Sequence, residues 1–594
     1  MLRLLGRRLA FSAVALIVAS ALIFAVTDWL PRDLASRILG EQATPENIAA
    51  VRAELRLDQP PYKRYRAWLE HAVKGDFGRS LIADRPVADM IGPRLRNTLF
   101  LIFCAAIVAI PVSIVLGILA AVGRNGIFDK AIGSLAVGAV SMPEFLIGYC
   151  LMLYLSVQQR WFPAIVTFKP DRTMAENLHA ILLPMLTLLV LVLAHMVRMI
   201  RFSMLDALAS PYVEMAKLKG LSMRRIVIHH VLPNALAPII NVIALNLSYL
   251  VVGVVVVEAV FTYNGLGRLM VDAVSNRDVP VVQACGLIFA IVFIGLNLIA
   301  DVLSHSRQPA PQASAARGPM TVLRTRVGAT AIAGTLIILA CIGGAVLAPW
   351  VAPYDPNLPM GGRWDAPSAE HWLGLDQIGR DMLSRALYGG RVSIGLALLA
   401  TVLAFAVGIV TGFAAAVLGG WIDILLSRIA DIILSIPILI SALIVISGFG
   451  TTMPILVLTI GFLYSVLVFR VARSVAMNIA VLEYVEAARL RGEGLMWVIL
   501  REILPNAIPP LAAEFGRCFC FAFLFIAALG FLGLGVQPPD ADWGSMAKES
   551  ALAIPAGIAA PLYPAAAIAL LAIGVNLVVD WLLSIYSRPQ GENA

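Results

Sequence analysis

Charge is scarce in this chain. Only 14% of its 594 residues are Asp, Glu, Lys or Arg, and 60% are hydrophobic, where a soluble domain carries about 25% charge. The deficit excludes an ordinary soluble protein. It also sets the meaning of the net charge of +8. In a soluble chain that excess would point to nucleic acid. Here Lys and Arg retained in short inner loops account for it, and no nucleic-acid partner is expected.

Metal-binding and catalytic patterns are missing too. The seven histidines are scattered, and Cys104, Cys150, Cys285, Cys341, Cys518 and Cys520 all lie in apolar runs. Cys518 and Cys520 are spaced C-x-C and have no nearby histidine, so they read as small buried hydrophobes rather than metal ligands. The chain contains no Gly-Lys-Ser/Thr and so no phosphate-binding loop, and it shows no Ser/His/Asp constellation. It is expected to have no metal, no cofactor of its own and no enzymatic activity by itself.

What the chain does have is long apolar runs. A bilayer span needs about 20 apolar residues. Candidates lie at 9–28, 98–122, 131–155, 180–200, 234–258 and 282–303, then at 328–350, 393–417, 427–449, 454–474, 507–530 and 564–586. The runs are continuous rather than alternating, which favours helices over a barrel. The first follows Arg3, Arg7 and Arg8 and has the look of a signal peptide, but the repeat described below needs it as a span.

Orientation follows from Lys and Arg. With the N-terminus inside, the first six spans place Arg124, Lys130, Arg201, Lys217, Lys219, Arg224 and Arg225 inside, with Arg160, Lys169, Arg172, Arg268 and Arg277 outside. The polar segment 29–97 would then lie outside as an ordered cap. Both termini are expected in the cytoplasm. Residues 306–326, rich in Ala, Pro, Gln and Arg, read as a flexible cytoplasmic linker.

The two halves repeat. YVEMAKLKGLSMRRIVIHHVLPNALAPII begins at Tyr212 and YVEAARLRGEGLMWVILREILPNAIPPLA begins at Tyr484, 272 residues later; Pro233 and Pro505 keep the same offset. Asn297 and Asp301 recur as Asn576 and Asp580. Two homologous six-span units in parallel orientation are predicted, 1–305 and 327–594. In the repeated block, Met215, Leu218, Leu221 and Ile228 fall at helical spacing, which predicts that they share one face, with Lys217, Lys219, Arg224 and Arg225 on another. Gly220 and Gly492 would turn the chain, and Leu-Pro-Asn would restart a helix. Pattern alone fits either an amphipathic helix on lipid headgroups or a docking element. The duplication favours docking, since a two-fold motor needs two sockets.

The block resembles the coupling loop of bacterial ABC importer permeases. The matching residues are Glu214, Ala216, Gly220, Leu232 and Pro233, then Glu486, Ala487, Ala488, Gly492, Leu504 and Pro505; Met215, His230 and Glu502 depart from the pattern. Residues 1–305 resemble the B-type permease of peptide and nickel importers, through LRLDQPPYKRY (55–65), KGDFGRS (74–80), RNTL (96–99), EAVFTYNGLGRLMVDAVSNRDVPVVQ (258–283) and NLIAD (297–301). The second unit resembles the partner C-type permease, through HWLGLDQIGRDMLSRALYGGRVS (371–393), LGFLGLGVQPPDADWGSM (529–546) and NLVVD (576–580). Asn264, Ile526 and Gly530 depart, standing where the patterns have Pro, Glu and Ser.

The resemblance implies an all-α membrane protein of the type I ABC importer fold, in a bacterial inner membrane. It implies two cytoplasmic ATPase subunits that bind Mg-ATP and dock on coupling loops 206–233 and 478–505, and an external binding protein that delivers a peptide or related solute. The fusion implies that no second permease chain is needed. An ion-driven carrier would have no use for two coupling loops, and twelve spans with no sizeable soluble domain argue against a membrane scaffold or receptor. Charged residues within spans are further candidates. Glu514 and Arg517, three apart, can neutralise each other or contact solute; Glu258 opens the outer EAVFTYNGLG turn and can shape the mouth. Glu144 and His195 are weaker candidates, and Asp431 with Arg428 reads as an anchor.

Overall fold

In the computed structural model, residues 2–28, 44, 59–166, 173–305 and 328–587 are described. The expected linker 306–326, most of the outer segment before Gln59 (including Leu55–Asp58), Lys169 and Arg172 lie outside them.

Apolar runs become helices because a helix satisfies every backbone N–H and C=O internally. The first unit comprises α1 (Leu2–Asp28), α2 (Pro61–Val73), α3 (Val87–Val122), α4 (Ile127–Ser141), α5 (Glu144–Leu151, continued by a π turn over Met152–Gln158) and α6 (Met174–Leu208). It continues with α7 (Pro211–Leu218), α8 (Met223–Ile226, then a π turn over Val227–Val231), α9 (Leu232–Val260), α10 (Leu266–Ser275) and α11 (Val279–His305). The second unit follows the same plan: α12 (Ala329–Val346), α13 (Ala348–Val351), α14 (Met382–Leu418), α15 (Gly420–Ile433), α16 (Ile438–Phe449) and α17 (Met453–Ala480). Then come α18 (Glu483–Leu490), α19 (Leu495–Trp497, then a π turn over Val498–Ile503), α20 (Leu504–Leu532), α21 (Trp543–Glu549) and α22 (Leu562–Ser587). No β-strand occurs among the described residues.

Among the described residues, ten helices are long and apolar enough to cross a membrane, and twelve spans result when each of two bent pairs counts as one. The runs expected at 131–155 and 427–449 are these pairs rather than straight helices. Helix α4 meets α5 at 108° and α15 meets α16 at 82°. Pro143 and Pro437 are the cause. Proline pushes the residue before it out of the helical region, and Met142 accordingly has ψ of 134°.

Within each unit, small residues bring long helices together, the usual device where lipid supplies no hydrophobic drive. Gly408 and Gly412 of α14 lie against Val468 and Ala472 of α17, and Gly117 of α3 lies against Ile200 of α6. A Cβ on Gly117 would come 2.7 Å from the Ile200 Cγ2, so a larger side chain forces the pair apart.

The units interlock. Phe145 of α5 stacks on Phe531 of α20 at 4.5 Å between centroids and 5° between planes, and Tyr149 meets Phe531 edge-on. Asn576 of α22 donates from Nδ2 to the Ser141 hydroxyl at 2.8 Å. Arg198 of α6 faces Asp580 of α22 at 3.8 Å. Arg198 sits near the α7–α8 end of the first unit, and Asp580 near the α18–α19 end of the second. The two repeated segments, α7–α8 and α18–α19, therefore share one end of the bundle, here the segment end. Thr98, near the start of α3, meets Glu258, near the end of α9, which puts α2, α10 and residues 59–86 at the opposite, far end.

Candidate functional site

At the segment end, each unit presents the same small helix–turn–helix. Helix α7 closes at Gly220 (φ +73°) and α18 at Gly492 (φ +83°), a left-handed conformation that favours glycine. The turns match bond for bond. The Leu221 amide donates to the Ala216 carbonyl and the Glu493 amide to the Ala488 carbonyl, both at 3.3 Å, as a helix C-cap requires. Pro233 and Pro505 bring no N–H to the restarting helix. The neighbouring asparagines supply a donor: Asn234 Nδ2 bonds the His230 carbonyl at 2.8 Å and Asn506 Nδ2 the Glu502 carbonyl at 2.7 Å.

The element has a buried and an exposed apolar face. Val213, Ala216, Ile226, Val227 and Val231 pack inward in the first unit, and Val485, Ala488, Val498 and Ile503 in the second. Three of the four apolar residues expected to share one face, Met215, Leu218 and Ile228, are all on the outside. Leu218 is 76% exposed and its counterpart Leu490 83%. Tyr212, Met223, Tyr484, Leu495, Met496 and Leu500 are exposed beside them. Glu214 and Glu486 lie in the first turns of α7 and α18, also exposed, where a carboxylate complements the helix dipole. Ala487 is exposed, and Leu232 and Leu504 are half-buried.

Two ion pairs anchor the helices that lead into these segments. Arg201 of α6 binds Asp129 of α4 through Nε at 2.5 Å and Nη2 at 2.8 Å. Arg473 of α17 binds Asp423 of α15 through the same two nitrogens. Sequence reasoning had counted Arg201 only as an inner-loop charge. The available signal was that Arg201 and Arg473 are themselves 272 residues apart. Asp431, read as an anchor with Arg428, bonds Arg470 at 2.7 Å and has Arg428 at 3.6 Å.

Between the units, α9 and α20 touch. Each has a narrow exposed stripe, with Leu245 and Tyr249 on α9, and Arg517 and Phe521 on α20. Arg517 Nη2 bonds Glu514 Oε2 at 2.5 Å. Tyr249 stacks on His195. Glu144 stands at the break of the bent pair, its carboxylate 3.4 Å from where a Cβ on Gly253 would sit.

At the far end, buried carboxylates fasten the connecting segments. Glu258 lies beneath the EAVFTYNGLG turn, not at its surface. It is fully buried, accepting from the Thr98 hydroxyl at 2.5 Å, from the Arg268 amide at 3.0 Å and from the Gly267 amide. It thus caps α10 from within. Asp278 receives the Ser80 hydroxyl and the Leu81 amide. In the second unit Asp376, Arg380, Arg385 and Glu549 form one network. Asp376 Oδ2 takes Arg385 Nη1 at 2.5 Å and Arg380 Nε at 2.7 Å, and Glu549 takes both arginines within 3.0 Å. Burial pushes the Asp376 carboxyl up, but the Arg380 and Ile378 amides and the Arg385 guanidinium outweigh it and hold it below the ordinary range. Where the first unit has Glu258, the second has Gly530 at the same 272-residue offset, and Asp542 does the capping instead. Asp542 Oδ1 accepts from the Gly544 and Ser545 amides at 2.8 and 3.1 Å. The bare Gly530 leaves room for this carboxylate. Among the described residues, no three His, Cys, Asp or Glu side chains are grouped to hold a metal.

Residues 113–309 and 387–589 both match the family described as "Binding-protein-dependent transport system inner membrane component". The chain belongs to this family. Residues 1–101 match its companion, "Binding-prot-dependent transport system membrane comp, N-term". The chain is similar to the glutathione transport system permease protein GsiC of Escherichia coli (strain K12) and of Shigella dysenteriae serotype 1 (strain Sd197), 38% identical to each over 310 residues, 52% of this chain and 99% of the relative. GsiC of Shigella flexneri serotype 5b gives the same identity and coverage. Two family domains in one polypeptide make this permease a fusion of two permease units. It is a multi-pass inner-membrane transport permease of the ABC importer class, not an enzyme.

Proposed function

We propose that this permease forms the pathway for a short peptide or peptide-like solute, delivered by a binding protein at the far end and driven by two ATPase subunits docked at the segment end. The observation that carries the reading is the pair of exposed apolar surfaces around Leu218 and Leu490. Isolated exposed leucines need no partner, but two matching clusters at one end of a membrane protein mark an interaction surface. Residues 206–233 and 478–505, with Glu214, Ala216, Gly220, Leu232 and Pro233, and Glu486, Ala487, Ala488, Gly492, Leu504 and Pro505, would be the two sockets. Units 1–305 and 327–594, joined by 306–326, would place both sockets and both termini in the cytoplasm. Mg-ATP would bind the partners, not this chain, and no further permease chain would be required. GsiC, by its name, moves glutathione, a tripeptide, which supports a solute of that size.

ATP-driven closure of the ATPases would move the sockets and rock the units between two global states. The Asp129–Arg201 and Asp423–Arg473 pairs would make each socket move with its bundle. The test is co-purification of the full chain with its candidate ATPase, with Glu214→Lys and Glu486→Lys each introduced. Weakened capture or uncoupled ATP hydrolysis supports docking here. Full capture and coupling by the double variant removes these segments as sockets.

A further inference from the structure

Arg517 is 51% exposed in the middle of a helix whose one other charged residue is Glu514. An arginine at that depth facing lipid is strongly disfavoured, so charged side chains in spans face the bundle interior or an aqueous path. The neighbours agree. One turn further along, Phe521 is exposed on the same stripe and offers its carbonyl to the Tyr464 hydroxyl. Helix α20 touches α9 across the unit interface, and α9 carries the exposed Leu245 and Tyr249.

The charge is one-sided. With the 272-residue offset, Arg517 corresponds to Leu245 and Glu514 to Val242. Glu514, 10% exposed, lies behind the arginine and bonds a single nitrogen of it. Among the described residues the rest of the guanidinium has no hydrogen-bond partner, although it carries five N–H donors in a fork that matches a carboxylate. A fork of free donors on an apolar wall, partly neutralised from behind, binds an anion without trapping it.

We propose that Arg517 receives the carboxylate of the solute in transit, so that the permease favours carboxylate-bearing peptides over the same peptides with that group blocked. This rests on the transport reading above. The test is uptake of trialanine and of trialanine C-terminal amide into proteoliposomes holding the full chain, its ATPase and its binding protein. The unmodified chain is compared with Arg517→Leu, Arg517→Gln and Arg517→Lys. The binding protein is the same throughout, so any change in the acid-to-amide ratio belongs to the permease. The expected result is a ratio lowered about tenfold by Leu and by Gln, the size of one lost charge-assisted hydrogen bond, and largely kept by Lys. Glu514→Gln, which removes the competing carboxylate, should raise it. ATPase capture by each variant reports folding, and Gln carries the comparison if Leu does not fold. An unchanged ratio in the folded variants, with uptake intact, overturns the role of Arg517 and leaves the importer reading standing. No ATP-dependent uptake of either peptide by the unmodified chain overturns both.

Discussion

Arg473 grips Asp423 with two guanidinium nitrogens, joining the last turns of α17 to the start of α15, just before the chain enters the second repeated segment. Arg201 and Asp129 repeat the clamp in the first unit. A two-pronged guanidinium bond fixes orientation as well as distance. Arg473→Ala leaves a partly buried carboxylate unpaired and should lower stability by about 1–3 kcal/mol. ATP-driven uptake should fall further than ATPase capture does. A double-mutant cycle with Asp423→Ala, read as thermal midpoints, should return a coupling energy well above zero.

Gly220→Ala and Gly492→Ala isolate the turn itself. Nothing lies within 4 Å of where a Cβ would stand at either position, so the cost is the left-handed backbone alone, about 1 kcal/mol each. The expected phenotype is a folded permease with weaker ATPase capture, measured by pull-down. Unchanged capture with both substitutions present would show that the turn geometry is dispensable for docking.

Glu258→Ala removes the acceptor for three donors at once. The loss should be about 2–4 kcal/mol, seen as a lowered unfolding temperature in detergent. Glu258→Gln, which keeps one acceptor oxygen, should lose less. Equal midpoints for Ala and wild type would mean that another group caps α10.

Burial pushes the Asp542 carboxyl up to about 6 from an ordinary 3.8, although the Ser545 and Gly544 amides pull it down. The folded protein thus keeps a proton that the unfolded chain has already released. Stability contributed by this group is full below about pH 4, falls as the pH rises to about 6 and is level beyond, a change of up to about 3 kcal/mol. Asp376, held below the ordinary range, acts in the opposite sense, but only as the pH falls below 3.8. Asp542→Asn should abolish the slope between pH 4 and 6 in thermal unfolding.

The spans and the repeat were legible because both are local: hydropathy is a run of neighbours, and Tyr212 and Tyr484 head segments that match without a gap. The breaks at Pro143 and Pro437 were not read, since apolar character continues across them. The clamps escaped because Asp129 and Arg201 are 72 residues apart and Asp423 and Arg473 are 50 apart, and nothing in either neighbourhood names its partner. Glu258 was expected to shape the outer mouth, because it opens the turn that lies there. Its burial is set by α3, which arrives from 160 residues earlier.

At the segment end the two units agree in their glycine turns, their asparagine bonds and their clamps. At the far end they agree in none of the corresponding fastenings, with Glu258 and Asp278 on one side and Asp376, Glu549 and Asp542 on the other. The two units are thus alike at one pole and unlike at the other. A partner built from two like halves meets two similar seats at the first pole. A partner at the second pole meets two different surfaces and so has a single way round.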